Sequence, residues 1–244
     1  MTQIKAMIKR ELKSYFNSPV AYVFIVVFLL STVGTTFFLG GFFGSNRASL
    51  ETFFIFHPWL FLFLIPAVGM GLWAEERNSG TIELLFTLPV TLIQAVISKF
   101  LAGWIFIGIA LLLTFPMVLT TWYLGDPDNG MIITSYLGSF LMAGAYLSIT
   151  CVTSALTKNQ VISFILSVIT CFVMVLLGWG VFTKTMNQIF PTWLTDVISS
   201  FSFSTHFNSI NRGIIDSRDL IFFLSIIGGG LLLNATILDS KKSA

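Results

Sequence analysis

The chain alternates long apolar runs with short polar segments. Uncharged stretches cover residues 14–46, 52–74, 100–125, 129–157, 159–183 and 220–238. Each stretch can supply the ~20 apolar residues that a helix needs to cross a bilayer. None follows the period-two alternation of membrane β-strands. The pattern therefore predicts an all-α, polytopic membrane protein with six transmembrane helices, which form a single domain over residues 1–244.

The composition strengthens this prediction. Hydrophobic residues make up 55% of the chain and charged residues 10%, whereas about 25% of the residues in a typical soluble domain are charged. A soluble globular protein is therefore excluded. The lipid bilayer is the expected surrounding of the chain, and no nucleic-acid partner is expected.

Residues 1–18 precede the first apolar run and form a charged, amphipathic segment. The apolar residues fall on one helical face, and four cations lie on the others: Lys5, Lys9, Arg10 and Lys13. This pattern is typical of a helix in the plane of the membrane surface, with its cations at the anionic inner leaflet. A simple topology anchor would explain the same charges. Ser18 and Pro19 match the N-cap and first position of the next helix.

The distribution of Lys and Arg predicts the orientation. If the N-terminus is cytoplasmic, nine of these residues lie on the inner side and four on the outer side. Cytoplasmic loops carry an excess of Lys and Arg, so we expect both termini in the cytoplasm. We expect no cleaved signal peptide, because the N-terminal segment lacks the short n-region and the small-residue cleavage site.

The inner segment between spans two and three, residues 75–98, carries an unusual number of charges. Its first half contains Glu75, Glu76, Arg77 and Glu83. Gly80 is expected as the N-cap of a short apolar helix that Pro89 ends. Two turns of helix are not stable alone in water. The short helix must therefore be buried, either on the membrane surface or in a groove of another protein.

Two shorter motifs are also expected on the cytoplasmic side. Thr91 and Gln94 match a capping box, which predicts that the helix of span three starts there and carries Lys99 below the membrane. Lys158, Asn159 and Gln160 form a very short turn between spans four and five.

Residues 184–218 form the longest outer segment. It is apolar and aromatic, rich in serine and interrupted by Pro191, so one or two short helices in the outer interface are expected. Five polar residues lie near its end: His206, Arg212, Asp216, Arg218 and Asp219. They either cap and anchor the following helix or dock a periplasmic partner. An exposed Arg–Asp pair among them would contribute only ~0–1 kcal/mol.

Few residues offer catalytic or metal-binding chemistry. The sequence lacks a Gly-x-x-x-x-Gly-Lys-Ser/Thr loop, so no Walker site for ATP is expected. Cys151 and Cys171 lie within spans, where free cysteines behave as small apolar residues. His57 and His206 lack partners at metal-ligand spacing, so packing or hydrogen bonding is their expected role. We predict no catalytic, cofactor or metal site in this chain.

Residues 75–89 resemble the coupling-helix signature of ABC-2-type transporter permeases. The signature contains a charged pair with arginine, Ser-Gly-Thr, an acidic residue, a leucine-rich turn and Leu-Pro. Two further motifs, Thr157 to Gln160 and His206 to Leu220, resemble one branch of this family. That branch includes gliding-motility-associated and nitrous-oxide-reductase-maturation permeases. The resemblance covers nearly the whole chain.

The resemblance implies the membrane subunit of an ABC exporter-type complex, which is not itself an enzyme. ATP and Mg would be bound by a separate ATPase subunit, present in two copies. The permease would pair with a second copy of itself in the inner (cytoplasmic) membrane of a bacterium. A periplasmic or membrane-anchored auxiliary subunit is a further expected partner.

The resemblance also assigns residues to these contacts. Those assigned to the ATPase subunit are Glu75, Glu76, Arg77, Gly80, Thr81, Ile82, Glu83, Leu85, Phe86, Leu88 and Pro89. Those assigned to a second cytoplasmic contact are Lys158, Asn159 and Gln160. The outer residues His206, Arg212, Asp216, Arg218 and Asp219 would dock the auxiliary subunit.

Two other functions fit the same pattern of spans. One is a membrane scaffold or assembly factor that transmits force to a periplasmic partner without moving a substrate. The other is a proton- or ion-coupled carrier. No Asp, Glu, Lys or Arg falls in the middle of a predicted span, which disfavours the carrier because such proteins place ionisable residues near the midplane.

Overall fold

The computed structural model describes residues 2–44, 47–81 and 91–242, and in these parts of the chain all regular secondary structure is helical. The first helices are α1 (Thr2–Asn17), α2 (Pro19–Gly34, continued by a π-helical turn over Thr35–Leu39), α3 (Glu51–Ile55), α4 (His57–Gly69) and α5 (Gly71–Ser79). They are followed by α6 (Leu92–Leu112), α7 (Pro116–Leu124), α8 (Asn129–Leu156), α9 (Gln160–Leu176), α10 (Gly180–Ile189), α11 (Thr192–Ser199), α12 (Phe203–Ile210) and α13 (Ser217–Lys242). The all-α prediction is confirmed.

Five helical segments in the described residues are long and apolar enough to cross a membrane. They are Pro19–Leu39, His57–Ser79, Leu92–Leu124, Asn129–Leu156 and Ser217–Lys241. A sixth is present if α9 and α10, which meet at 68°, count as one broken span. The prediction of a continuous fifth span within residues 159–183 is therefore wrong. The chain bends at Gly178, where the missing side chain lets Ser202 and Thr205 approach closely.

The outer segment contains more helix than its sequence indicates. Three short helices, α10 to α12, replace the one or two expected, because α10 begins at Gly180 inside the predicted fifth span. Pro191 separates α10 from α11, as predicted, and its extended backbone forms the N-cap position of α11.

Helix α8 lies at the centre of the bundle, and α4, α5, α6, α9, α12 and α13 pack against it. Its buried positions include small residues such as Gly138, Ala143 and Gly144, which let helix backbones approach closely in a membrane. Polar side chains also join its neighbours to it. Trp104 Nε1 donates to the Phe140 carbonyl at 2.8 Å, and the Tyr146 hydroxyl donates to the Pro58 carbonyl at 2.8 Å.

The N-terminal helix packs on the bundle through the apolar face that the sequence indicates. Met7 is buried, and the Tyr15 ring stacks on Phe106 of α6 at a centroid distance of 5.1 Å. Ser18 is the N-cap of α2 and Pro19 its first residue, which confirms the expected boundary. The position of α1 in the plane of the membrane remains a prediction.

The close contact between α8 and α13 can be tested by substituting glycines of α13. A Cβ on Gly230 would lie 2.8 Å from Ser148 Oγ, whereas a Cβ on Gly229 would have nothing within 4 Å. Gly230→Val should therefore lower the free energy of unfolding by about 1–3 kcal/mol, as overpacking does. The matched control Gly229→Val should stay within about 0.5 kcal/mol of the unaltered protein. Unfolding in detergent micelles measures both, and equal losses would contradict the close helix contact.

Accessible positions allow a test of the orientation. Ser79 and Asn187 are both exposed, whereas the native Cys151 and Cys171 are buried. We expect a cysteine at Asn187 to react with an impermeant thiol reagent added outside intact cells, and a cysteine at Ser79 to react only after the membrane is opened. Labelling of Ser79→Cys from outside would reverse the predicted topology.

Candidate functional site

Lys99 is buried where α6 meets α1 and α5. Its side chain is only 4% exposed, and its Nζ lies 2.8 Å from Glu76 Oε1 and 3.4 Å from Glu11 Oε2. The ammonium also lies 5.3 Å from the centroid of the Trp73 ring. A buried ammonium is costly unless carboxylates and hydrogen bonds compensate it. This lysine junction, formed by Glu11, Glu76 and Lys99, therefore fixes three elements relative to each other.

Ser154 of α8 fills the break between α4 and α5. Its hydroxyl donates to the Met70 carbonyl at 2.8 Å and accepts from the backbone N–H groups of Trp73 and Ala74, both at 3.0 Å. The hydroxyl thus stands in the place of a direct helical hydrogen bond between Met70 and Ala74, and insertions of this kind kink helices. The same contacts attach the start of α5 to α8.

The last carbonyl groups of α8 bind two cations. Arg77 Nη1 donates to the Ala155 carbonyl at 2.6 Å. Lys241 Nζ donates to the same carbonyl at 3.2 Å and to that of Leu156 at 2.8 Å. These carbonyls have no partner within the helix, and the negative end of the helix dipole favours cations. Arg77 therefore holds the end of α5 against α8.

Gly80 forms the C-cap of α5, a role that the sequence pattern did not indicate, and most of the short helix that it is predicted to start lies outside the described residues. Its φ is +73° and its ψ is +3°, a left-handed C-cap, which glycine adopts without the steric cost of a Cβ. The residues Glu75, Glu76 and Arg77 consequently belong to α5 and not to a loop. Thr81 follows, with its hydroxyl 2.9 Å from Ser79 Oγ.

Six residues of the predicted ATPase contact lie outside the described residues. They are Ile82, Glu83, Leu85, Phe86, Leu88 and Pro89. The description resumes at Thr91, and the capping box is confirmed: Gln94 N donates to Thr91 Oγ1 at 3.3 Å and Thr91 N donates to Gln94 Oε1 at 3.2 Å. The 82–90 segment thus connects two helix ends, and both contribute to the lysine junction.

The second predicted cytoplasmic contact lies beside the first. Asn159 caps α9 by accepting from Val161 N at 2.8 Å, and Lys158 is exposed. A Cβ on Gly71 would lie 3.6 Å from Gln160 Nε2 and 3.4 Å from Glu75 Oε2. The structure therefore brings Gln160 and Glu75 to one place at the same end of the bundle.

The five outer candidates divide into two groups. His206 Nδ1 lies 2.6 Å from Asp219 Oδ1, and Nε2 lies 2.8 Å from the Ser200 carbonyl oxygen, so this pair ties α12 to α13. Arg212, Asp216 and Arg218 are exposed. Asp216 Oδ1 accepts from the backbone N–H of Arg218 at 3.0 Å, at the start of α13. No Arg–Asp ion pair is present among these residues.

His57 is packed among aromatic rings, and Cys151 and Cys171 are free and buried. His57 is surrounded by Phe28, Phe53, Phe54 and Phe61, and its Nδ1 lies 3.1 Å from the Phe53 carbonyl oxygen. Within the described ranges, no group of three or more His, Cys, Asp or Glu residues is arranged to hold a metal ion.

Sequence reasoning missed two parts of this site, the role of Glu11 and that of Ser154. Glu11 is the single acid in the N-terminal helix, and a lone acid on a cationic helix is a weak signal that a buried cation lies nearby. Ser154 offered no signal, because serine occurs throughout the spans.

The electrostatics of Glu11 make a third prediction. Burial alone would raise the pKa of the Glu11 carboxyl, but Lys99 and Arg10 hold that pKa below its usual value of 4.5. The ionised form therefore stabilises the fold above that pH, and this contribution is lost as the pH falls through the lower folded-state pKa.

Glu11→Gln should therefore lower the melting temperature clearly at pH 7, with a loss in free energy of about 1–3 kcal/mol from the weakened pairing of Lys99. The difference from the unaltered protein should shrink as the pH is lowered below about 4.5. Glu51→Gln, on an exposed glutamate of α3, serves as the control and should differ little at either pH. A pH-independent loss in Glu11→Gln would show that packing, not charge, is responsible.

Comparison with known families identifies the family of the chain. Residues 44–238 match the family model described as ABC-2 family transporter protein. The match includes α5, α6, the inner turn at residues 157–160 and the outer helices. No curated protein matches the chain. Since the match covers well over half of the sequence, the chain belongs to the ABC-2 family of transporter proteins and is a polytopic membrane permease of that family.

Proposed function

We propose that this permease couples ATP hydrolysis by a separate ATPase subunit to export, or to force transmission, across the inner membrane of a bacterium. ATP and Mg would be bound by that partner, in two copies. The observation that carries the proposal is the lysine junction at the two ends of the 82–90 segment, which is the segment proposed to dock on the ATPase subunit.

The lysine junction supports force transmission because its ion pairs hold α5 and α6 in a fixed position relative to each other. Lys99 Nζ, near the start of α6, lies 2.8 Å from Glu76 Oε1, near the end of α5. The Ser154 hydroxyl attaches α5 to α8. A displacement of the 82–90 segment would therefore move α5 and α6 together and act on the central helix. A loop that left its two helix ends unpaired would absorb the same displacement locally.

The docking itself is assigned to the apolar residues of that segment. Ile82, Leu85 and Phe86 have the spacing of one helical face, and Leu88 and Pro89 end it. Glu75, Glu83 and Thr81 would lie at the rim of the ATPase cleft. The exposed Lys158 and the neighbouring Arg77 and Lys241 extend this surface around the end of α8.

A second copy of the chain is proposed to complete the transport unit. Helices α2 and α9 carry exposed apolar side chains, which include Val26, Leu30, Ile165, Ile169 and Phe172. We assign these two helices to a dimer contact about a two-fold axis normal to the membrane, because symmetric homo-oligomers are most often two-fold dimers.

A non-transporting scaffold is the second candidate. The exposed Arg212, Asp216 and Arg218 at the outer end favour it, since they are available to an auxiliary periplasmic subunit, whereas His206 and Asp219 contact each other. In this version, which corresponds to the gliding-motility and nitrous-oxide-reductase-maturation branch, ATP-driven movement is passed to that partner and no substrate crosses.

Removal of the apolar anchors tests the proposed docking. Leu85→Ala with Phe86→Ala should release the ATPase subunit from membranes, because loss of one buried anchor costs ~2 kcal/mol or more, about thirtyfold in affinity. Gly80→Val should act in the same direction, since Gly80 has a φ of +73° that a β-branched residue adopts poorly. Copurification of the ATPase subunit with the tagged permease measures both effects.

The matched control is Phe115→Ala with Leu119→Ala, which removes the same two side-chain types from exposed positions around the start of α7. It should leave ATPase retention unchanged, and all variants should insert in the membrane normally. If the permease with Leu85→Ala and Phe86→Ala retains the ATPase subunit fully, the proposed docking is wrong. The 82–90 segment is then buried on the membrane surface instead.

A further inference from the structure

A cavity of about 770 Å³ opens at the inner end of the bundle, between α1, α2, α4 and α5. Its walls are apolar and come chiefly from α2 and α4: Val23, Phe24, Val27, Leu64 and Val68. A volume of this size lies within the ~300–1,000 Å³ range of small-molecule sites. The cavity thus has room and apolar surface for the body of a small amphiphile.

One end of the cavity is acidic. Glu11, Glu75 and Glu76 line it, and Lys99 is the single cation among the lining residues. Lys99 is shared by Glu11 and Glu76, and Glu11 also pairs with Arg10 at 2.7 Å. The excess negative charge of the cavity therefore lies at Glu75 and Glu76.

These two glutamates retain acceptor capacity. Glu76 uses Oε1 for Lys99, while its Oε2 is buried and has no hydrogen-bond partner in the described part of the chain. Glu75 forms no ion pair with any described residue. A buried carboxylate oxygen without a donor is costly, and a charged N–H donor would satisfy it with a strong hydrogen bond.

We propose that this cavity is a binding site for an amphiphilic amine, a protonated primary or secondary amine with an apolar chain. Its ammonium pairs with the carboxylates of Glu75 and Glu76, and its chain packs between α2 and α4. Charge complementarity excludes anionic amphiphiles, and the need for an N–H donor disfavours quaternary ammonium ions. The site concerns binding alone, and its test does not need the ATPase subunit, although Glu75 and Thr81 line both the cavity and the proposed rim of the ATPase cleft.

A free amine fits this site better than an aminophospholipid. A phospholipid headgroup places an anionic phosphate next to its ammonium, and that phosphate would lie close to Glu75 and Glu76. Like charges at that distance repel in a half-buried site. The free amine presents the same cation without this cost.

The test uses radiolabelled decylamine and the full-length permease in phosphatidylcholine nanodiscs, with binding to empty nanodiscs subtracted. We expect saturable binding, competition by unlabelled decylamine, and much weaker competition by decyltrimethylammonium, decanol or decyl sulfate. No saturable binding, or equal competition by decanol, would overturn the proposal. Loss of decylamine binding when phosphatidylethanolamine is added to the nanodiscs would assign the site to a lipid and overturn the free-amine assignment.

Variants locate the site. Glu75→Gln with Glu76→Gln should weaken decylamine binding about tenfold or more, since charge-assisted hydrogen bonds are the strong ones. Glu75→Gln alone should weaken it as well, and this variant leaves the lysine junction intact. Ala67→Trp should block binding by filling the cavity, which Ala67 lines. The control Glu51→Gln removes an equal charge at α3 and should bind normally. Unchanged affinity in both Glu75 variants would refute the assigned site.

Discussion

A buried ammonium needs carboxylate neighbours, and this requirement organises the end of the bundle where α5 ends and α6 begins. Lys99 has a side chain that is 4% exposed, and its partners Glu11 and Glu76 come from helices far away in the sequence. An unpaired charge at this depth would cost several kcal/mol. The N-terminal helix, the end of α5 and the start of α6 must therefore meet, and the chain between residues 82 and 90 must start and finish at this junction.

The contacts of α8 extend this constraint into the membrane. Ser154 holds the break between α4 and α5, and the carbonyls at the end of α8 bind Arg77 and Lys241. Every one of these contacts replaces a helical hydrogen bond or satisfies a terminal carbonyl. The helices that would receive a push from an ATPase subunit are thus joined by short polar contacts.

Glu76 belongs to both the lysine junction and the acidic cavity. Its Oε1 binds Lys99, and the residue also lines the acidic cavity. An ammonium ligand in that cavity would draw on the same carboxylate that holds the junction. Occupancy of the proposed amine site and the strength of the proposed coupling contact would therefore be linked through one side chain.

The sequence by itself determined the membrane class, most span positions and the helix starts at Pro19 and Leu92. Hydrophobic runs and caps involve residues within a few positions of each other, so they can be recognised locally. Tertiary structure decided that Gly80 ends a helix and that the fifth span breaks at Gly178. It also decided the junction of Glu11, Glu76 and Lys99, because the partner of a buried charge depends on which distant helices pack together, and no local pattern encodes that choice.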